Sequence, residues 1–310
     1  MKKYPKCTVA ASEVNRLKAL GFLRDKTSED KFNCRVITRN GKITAKESRA
    51  IADAAEKFGS GEIAMTSRMT IEVQGISYEN AQPFMDFLKE NGLECGGTGP
   101  KVRPVVSCKG TTCQYGLIDT FSLSKKIHEQ FYVGYHGVKL PHKFKIAVGG
   151  CPNNCVKPDI NDLGIMGQRM PEIEKEKCLG CSACVKICPM GAIGLVSGKA
   201  VIDREKCINC GRCVNICNFG AVEEKICGYR MFIGGRWGKK TARGTALCKI
   251  FENEEEILSA VEKTILFYRE NGNAGERFAD TITRVGFDVA EKVILSDEIL
   301  QRKADILKDE

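Results

Sequence analysis

The chain has 310 residues, 43% of them hydrophobic and 28% charged, which suits about two globular domains of ~100–200 residues each. No apolar run approaches the roughly 18 residues of a membrane span, and the opening stretch MKKYPKCTVAASEVNRLKALGF lacks the apolar core of a secretory leader, so a cytoplasmic protein without a membrane segment is expected. Lys and Arg number 48 against 39 Asp and Glu; the formal charge of +9 fits an anionic ligand, while a single Trp and no interleaving of aromatic with basic residues argue against a nucleic-acid partner. Along the chain, AKESRAIADAAEKF (45–58) predicts a helix and residues 62–74 alternate as a strand. YENAQPFMDFLKENG (78–92) predicts a second helix, stopped by Asn-Gly. A helix is expected over roughly 117–132, a strand over 143–149 and another over 229–234. Helices follow over 254–270 and from 276 onward, the first opened by the acidic block ENEEE (252–256), which suits a helix dipole.

The chain has 17 Cys, and in a reducing compartment clustered cysteines read as metal ligands rather than disulfides. Cys178, Cys181, Cys184 and Cys188 follow the spacing C-x2-C-x2-C-x3-C, with Pro189 next. Cys207, Cys210, Cys213 and Cys217 repeat it, with Asn218 in place of the proline. This pair of motifs resembles the bacterial two-cluster ferredoxin, in which the fourth cysteine of each motif ligates the other cluster. The resemblance assigns Cys178, Cys181, Cys184 and Cys217 to one [4Fe–4S] cluster, and Cys207, Cys210, Cys213 and Cys188 to the second. Four cysteines within so few residues, twice, are too dense for structural zinc.

Cys108 and Cys113 are spaced C-x5-C, and Cys151 and Cys155 C-x3-C. On spacing alone the two pairs, about 40 residues apart, would also suit a zinc site. With their neighbours they resemble the siroheme-containing sulfite and nitrite reductases. The likeness covers nearly the whole chain: TSRMTIEVQGI (66–76), LPHKFKIAVGGCPNNC (140–155) and GYRMFIGGRWGKK (228–240). One departure is Met69, where many members have Gln. A ferredoxin inserted after the second Cys pair is typical of the anaerobic, dissimilatory-type members.

The resemblance implies an α+β fold with a ferredoxin-like half-domain over 1–100 and a siroheme/[4Fe–4S] domain over 101–168 and 227–310. The two-cluster ferredoxin is inserted over 169–226. It implies a third [4Fe–4S] cluster on Cys108, Cys113, Cys151 and Cys155, with Cys155 bridging to siroheme, and sulfite bound by Arg35, Arg68, Lys143 and Lys145. Arg39 is the alternative to Arg35. Arg binds oxyanions through a planar fork, and Lys can also give up a proton when its pKa is depressed. Lys143 and Lys145 are two apart, so on a strand both point to one face, with Phe144 and Ile146 turned to the core. Arg103, Lys109, Arg236, Lys239 and Lys240 are candidates for the siroheme carboxylates, and His142 lies beside Lys143. GGRWGKKT (234–241) lacks the Walker spacing, and no flavin or nicotinamide fingerprint occurs. Separate electron donors are therefore implied, by resemblance iron–sulfur and flavin subunits oxidising NADH, as is a dimer that completes the site. The expected reaction is the reduction of sulfite to sulfide. The alternatives are reduction of nitrite to ammonia, or an electron-transfer subunit without active siroheme.

Overall fold

In the first unit α1 (Ala11–Ala19) leads into β1 (Phe22–Arg24) and β2 (Lys31–Val36). α2 (Ala45–Phe58) starts at Thr44, whose hydroxyl accepts the Glu47 N–H while the Glu47 carboxylate accepts the Thr44 N–H. This reciprocal cap satisfies donors that a first helical turn leaves bare. β3 (Ile63–Met65), β4 (Ile71–Ser77) and α3 (Ala81–Glu90) complete an antiparallel sheet in the order β1-β2-β4-β3. Phe32, Cys34, Val36, Ile71 and Val73 of the sheet are buried with Ile51, Ala54, Phe84 and Leu88 of the helices.

The strand expected over 62–74 is a hairpin. Thr66 and Thr70 close it through backbone and hydroxyl bonds, and Met69 takes a left-handed φ of 59°. Polar Thr66, Ser67 and Thr70 carry the alternation across the turn, which is why the pattern reads as one strand. Arg68 therefore stands at a hairpin tip, not on a strand.

The second unit, in a computed structural model that describes residues 4–308, is built on a mixed sheet. β5 (Val106–Ser107), α4 (Thr120–Ile127), β6 (Ile146–Gly149) and β7 (Leu163–Ile173) come first, with β5, β6 and β7 parallel. Phe144 and Ile146 are fully buried, and Lys143 and Lys145 are half-buried, as the two-residue period requires. β6 begins later than the expected residue 143 because the Lys145 N–H is given to the Asp162 side chain instead of a strand neighbour.

From β7 the chain enters a cysteine-rich insert holding α5 (Ala183–Ile187), β8 (Ile193–Val196), β9 (Lys199–Ile202) and α6 (Arg212–Ile216). It returns on β10 (Val222–Ile233), which pairs antiparallel with β7 from Val222↔Ile173 to Ile233↔Leu163. The ladder runs through residues 169 and 226, so the insert proper is what lies between Ile173 and Val222. β11 (Thr245–Phe251) completes the order β11-β10-β7-β6-β5. α7 (Glu254–Asn271) is capped by the Asn253 side chain and packs Ile257, Val261, Ile265 and Tyr268 into the sheet's core with Leu123 and Ile127 of α4. α8 (Phe278–Val285) and α9 (Phe287–Leu295) follow, with Phe278 buried against Phe144 and Tyr268. No helix among the described residues is long and apolar enough to cross a membrane.

Candidate functional site

The three parallel strands present different chemistry at their two ends. At the C-terminal ends stand thiols: Cys108 follows β5, and Cys151 follows β6 after Gly150. The Gly150 N–H donates to Cys108 Sγ over 3.1 Å. A Cβ on Gly150 would lie 2.8 Å from Gly110 Cα, so only glycine lets these two cysteine loops meet. Cys113 follows a single 3-10 turn over Gly110–Thr112, and Cys155 is exposed. Burial pushes the Cys151 thiol up, and the neighbouring Cys108, Cys155 and Cys113 thiols push it further. The four sulfurs thus form one electrostatic group. Such a set suits a cluster that takes up thiolate charge and accepts backbone N–H bonds at sulfur.

At the N-terminal ends stand cations around one carboxylate. Arg68 reaches from its hairpin tip to the starts of all three strands. Its guanidinium donates to Pro104 O at 2.7 Å, Ile146 O at 3.1 Å and Asn161 Oδ1 at 2.7 Å. Asp162, directly before β7, is fully buried. It accepts the Lys145 N–H at 2.9 Å and two contacts from Arg277 Nη2, at 2.9 and 3.1 Å. Burial pushes Arg68 down to about 10, with Arg103 acting the same way and Asp162 opposing. Arg103 is likewise pushed to about 10, by burial first and then by Arg35 and Arg277. Lys145 is pushed to about 8 by burial, Arg68, Arg277 and Lys143, with Asp162 opposing. Lys143 is lowered by burial and by Arg277, Arg103 and Arg236. His142 is lowered by burial and by the same crowd of cations, Lys143 foremost.

Among the described residues the Nε atoms of Arg68, Arg103 and Arg277 are buried without a hydrogen-bond partner. Buried donors left bare are costly and are usually satisfied by something. The cluster carries more positive than negative charge, a chemistry that suits a small oxyanion or the carboxylates of a tetrapyrrole. Of the residues singled out in sequence, Arg68, Lys143 and Lys145 converge. Arg35 lies on β2 against Glu72 at 3.4 Å and adds its charge to this side of the pocket. Arg39 turns away to Glu47 at 2.7 Å. Arg236 is held by Asp280 at 2.7 Å. The residues that sequence reasoning missed are Asp162 and Arg277. The single available signal was an Asp placed directly before the apolar run LGIMG.

The insert holds two further thiol sets. Cys178, Cys181, Cys184 and Cys217 line one small hollow of about 20 Å³. Cys188, Cys207, Cys210 and Cys213 line another of about 20 Å³. Each hollow thus takes three thiols from one motif and one from the other. Burial and the Cys210, Cys207 and Cys188 thiols push Cys213 up to about 12. Backbone N–H groups donate to sulfur in both sets: Ala200 to Cys178 at 3.4 Å, Ala221 to Cys217 at 3.3 Å and Ala192 to Cys188 at 3.3 Å. Among the described residues no three Cys, His, Asp or Glu side chains converge closely enough for a single ion.

Residues 98–302 match the family described as the nitrite and sulphite reductase 4Fe-4S domain, and residues 24–91 match the nitrite/sulfite reductase ferredoxin-like half domain. The chain belongs to the nitrite and sulfite reductase family. It is thus an oxidoreductase, and iron–sulfur and siroheme cofactors go with that family. It is 37% identical over 78% of its length to coenzyme F420-dependent sulfite reductase of Methanocaldococcus jannaschii, of which it spans only 38%. It is 34% identical over 70% of its length to an anaerobic sulfite reductase subunit from Salmonella typhimurium, covering 68% of that protein. An uncharacterised Methanocaldococcus jannaschii protein matches at 35% identity over 84% of this chain and 90% of its own length. In fold it resembles dissimilatory sulfite reductase I, with a TM-score of 0.69 at 23% identity over 85% of this chain and 69% of that one. It also resembles Mycobacterium tuberculosis NirA, with a TM-score of 0.66 at 14% identity over 95% of this chain and 48% of that one. These likenesses match the α+β architecture read from the sequence.

Proposed function

We propose that the chain is the catalytic subunit of an anaerobic siroheme sulfite reductase that reduces sulfite to sulfide. One observation carries this reading: the buried carboxylate of Asp162 lies among Arg68, Arg103, Lys143, Lys145 and Arg277, three of which keep an unpartnered buried donor. Such a cluster of cations suits a small oxyanion and can hand it protons. Siroheme joined to a [4Fe–4S] cluster supplies the electrons for the six-electron reduction. Cys108, Cys113, Cys151 and Cys155 would hold that cluster, with Cys155, the exposed one, shared with the siroheme iron. The two hollows of the insert would hold two ferredoxin-type clusters. Arg68 and Arg35 orient the oxyanion, and Lys145, with its depressed pKa, supplies protons as oxygen leaves as water. The sulfite reductases among the similar proteins support sulfite over nitrite.

Thiols and cations stand at opposite ends of the same strands. The four steps from Lys145 to Gly149 alone span about 13 Å at ~3.3 Å per residue. A second copy of this core, bringing its cation end to the thiol end, would complete the site, so we propose an oligomer in the cytoplasm. Electrons would come from iron–sulfur and flavin subunits oxidising NADH.

The test is turnover of sulfite and nitrite by the purified protein; a preference for nitrite above about tenfold, some 1.4 kcal/mol in transition-state binding, would make it a nitrite reductase. Haem absorbance bands are expected, and their absence would leave an electron-transfer subunit. In Cys155→Ser those bands should fall or shift while the iron–sulfur shoulder of the insert stays. Unchanged bands would remove Cys155 from the axial position.

A further inference from the structure

The two thiol sets of the insert sit differently against the core. Arg169 of β7 forms a parallel bridge with Cys210, and its N–H donates to Asn209 O over 2.7 Å. Its side chain runs beneath Gly211, where a Cβ would sit 2.4 Å from Arg169 Cδ and where φ is 67°. A larger residue there would have to displace the Arg169 side chain from under the Cys210 loop. The Arg169 guanidinium then reaches Asn215 Oδ1 at 2.6 Å and Glu224 at 2.5 Å. The neighbouring Arg212 lies 5.1 Å from the ring centroid of Tyr115, two residues after Cys113. A cavity of about 140 Å³ opens between these groups. Cys151 of the core set and Cys210 of the insert share its lining with Tyr115, Arg169 and Arg212. Arg212 also lines the hollow of the Cys188/Cys207/Cys210/Cys213 set, so one side chain borders both spaces.

The other set is built differently. All residues lining its hollow fall within 178–222. Three of them, Leu179, Leu195 and Phe219, are exposed at 68, 41 and 48%. Cys181 is exposed as well.

We infer that the two thiol sets of the insert are ordered. Cys188, Cys207, Cys210 and Cys213 form the inner set, facing Cys151 across a junction positioned by Arg169, Arg212 and Tyr115. Cys178, Cys181, Cys184 and Cys217 form the outer set. The inference rests on the reading of all three sets as [4Fe–4S] ligands. Arg212 is a positioning residue, a cation placed where it favours the more negative, reduced form of whatever the inner set holds. The outer set has its own cation outside the hollow, Lys199, which donates to Cys178 O at 2.7 Å, and it faces solvent through the apolar Leu179, Leu195 and Phe219.

The experiment uses the purified holoprotein and electron paramagnetic resonance during a reductive titration, with iron and acid-labile sulfide measured first. Arg212→Leu is expected to lower the potential of one insert cluster and leave the other unmoved. The same cluster should be the one whose signal is broadened by magnetic interaction with the core cluster. Leu179→Asp should instead move the second insert cluster, the one without that broadening. Tyr115→Leu provides a second perturbation of the junction and should affect the same cluster as Arg212→Leu. Two outcomes would overturn the order: Arg212→Leu moving neither insert cluster, or moving the cluster that Leu179→Asp moves. Iron and sulfide too low for three clusters would instead overturn the underlying reading, so the two failures are separable.

Discussion

Lys145→Ala is expected to keep its siroheme and clusters and to lose sulfite turnover by about 10²–10⁴-fold, the usual worth of a positioned proton donor. Burial acts first against the charge of Lys145, then Arg68, Arg277 and Lys143, while Asp162 supports it. The balance places it near about 8, within reach of neutral pH, where a donor is both protonated and willing to release its proton. Turnover that depends on the protonated form should therefore fall as pH rises through about 8, and Lys145→Ala should lose that limb of the profile. Lys145→Arg should retain oxyanion binding without restoring turnover, because a guanidinium stays protonated. KM would then stay close to its original value while kcat remains low. Full activity in Lys145→Ala would remove this residue from the site. For the empty protein the same shift has a defined sign. The native state gives up this proton at a lower pH than the unfolded chain does, whose lysines titrate near ~10.4. Stability from this residue therefore rises between about 8 and that value, and is absent below the window.

The sequence exposes some of this site and hides the rest, for physical reasons. A helix is legible where its signals are local: 45–58 carries its own cap in Thr44 and Glu47, and the observed element has those bounds. The two runs of four cysteines are legible because repeated spacing survives in a single chain, whereas the exchange of the fourth cysteine between the two hollows is expected only from the ferredoxin resemblance. The facing of Lys143 and Lys145 follows from the two-residue period and from apolar Phe144 and Ile146 beside them. Arg68 is legible as a residue but not as a hairpin tip, because polar turn residues mimic a strand's alternation. Asp162 is marked only by its place before the apolar run LGIMG, and Arg277 by nothing. They are 115 residues apart, neither sits in a motif, and charged side chains are usually solvated. The division of thiols and cations between opposite strand ends is also a property of the parallel sheet, and no local pattern carries it.

Asp162→Ala should cost about 3–5 kcal/mol of stability, the usual penalty for leaving one partner of a buried ion pair uncompensated. Arg277 would keep its charge inside the protein with only 8% of the residue exposed. The Lys145 N–H would lose its acceptor as well. Asp162→Asn should be milder, since an amide oxygen can still accept that N–H while the charge is lost. Both variants should also depress Lys145 further, because the Asp162 carboxylate raises it. The descending limb of the pH profile in Asp162→Asn should accordingly shift to lower pH. Thermal unfolding followed by far-ultraviolet circular dichroism would read the stability cost. Added inorganic phosphate or sulfite gives the discriminating comparison. An anion that binds only the folded pocket stabilises by RT ln(1 + [L]/Kd). It should recover more stability in Asp162→Ala than in the original protein, because it replaces the missing negative charge. A cost below about 1 kcal/mol, typical of a solvated ion pair, together with no difference in anion rescue, would mean that the carboxylate does not balance these cations. The pocket would then have to be charged for some reason other than holding an anion.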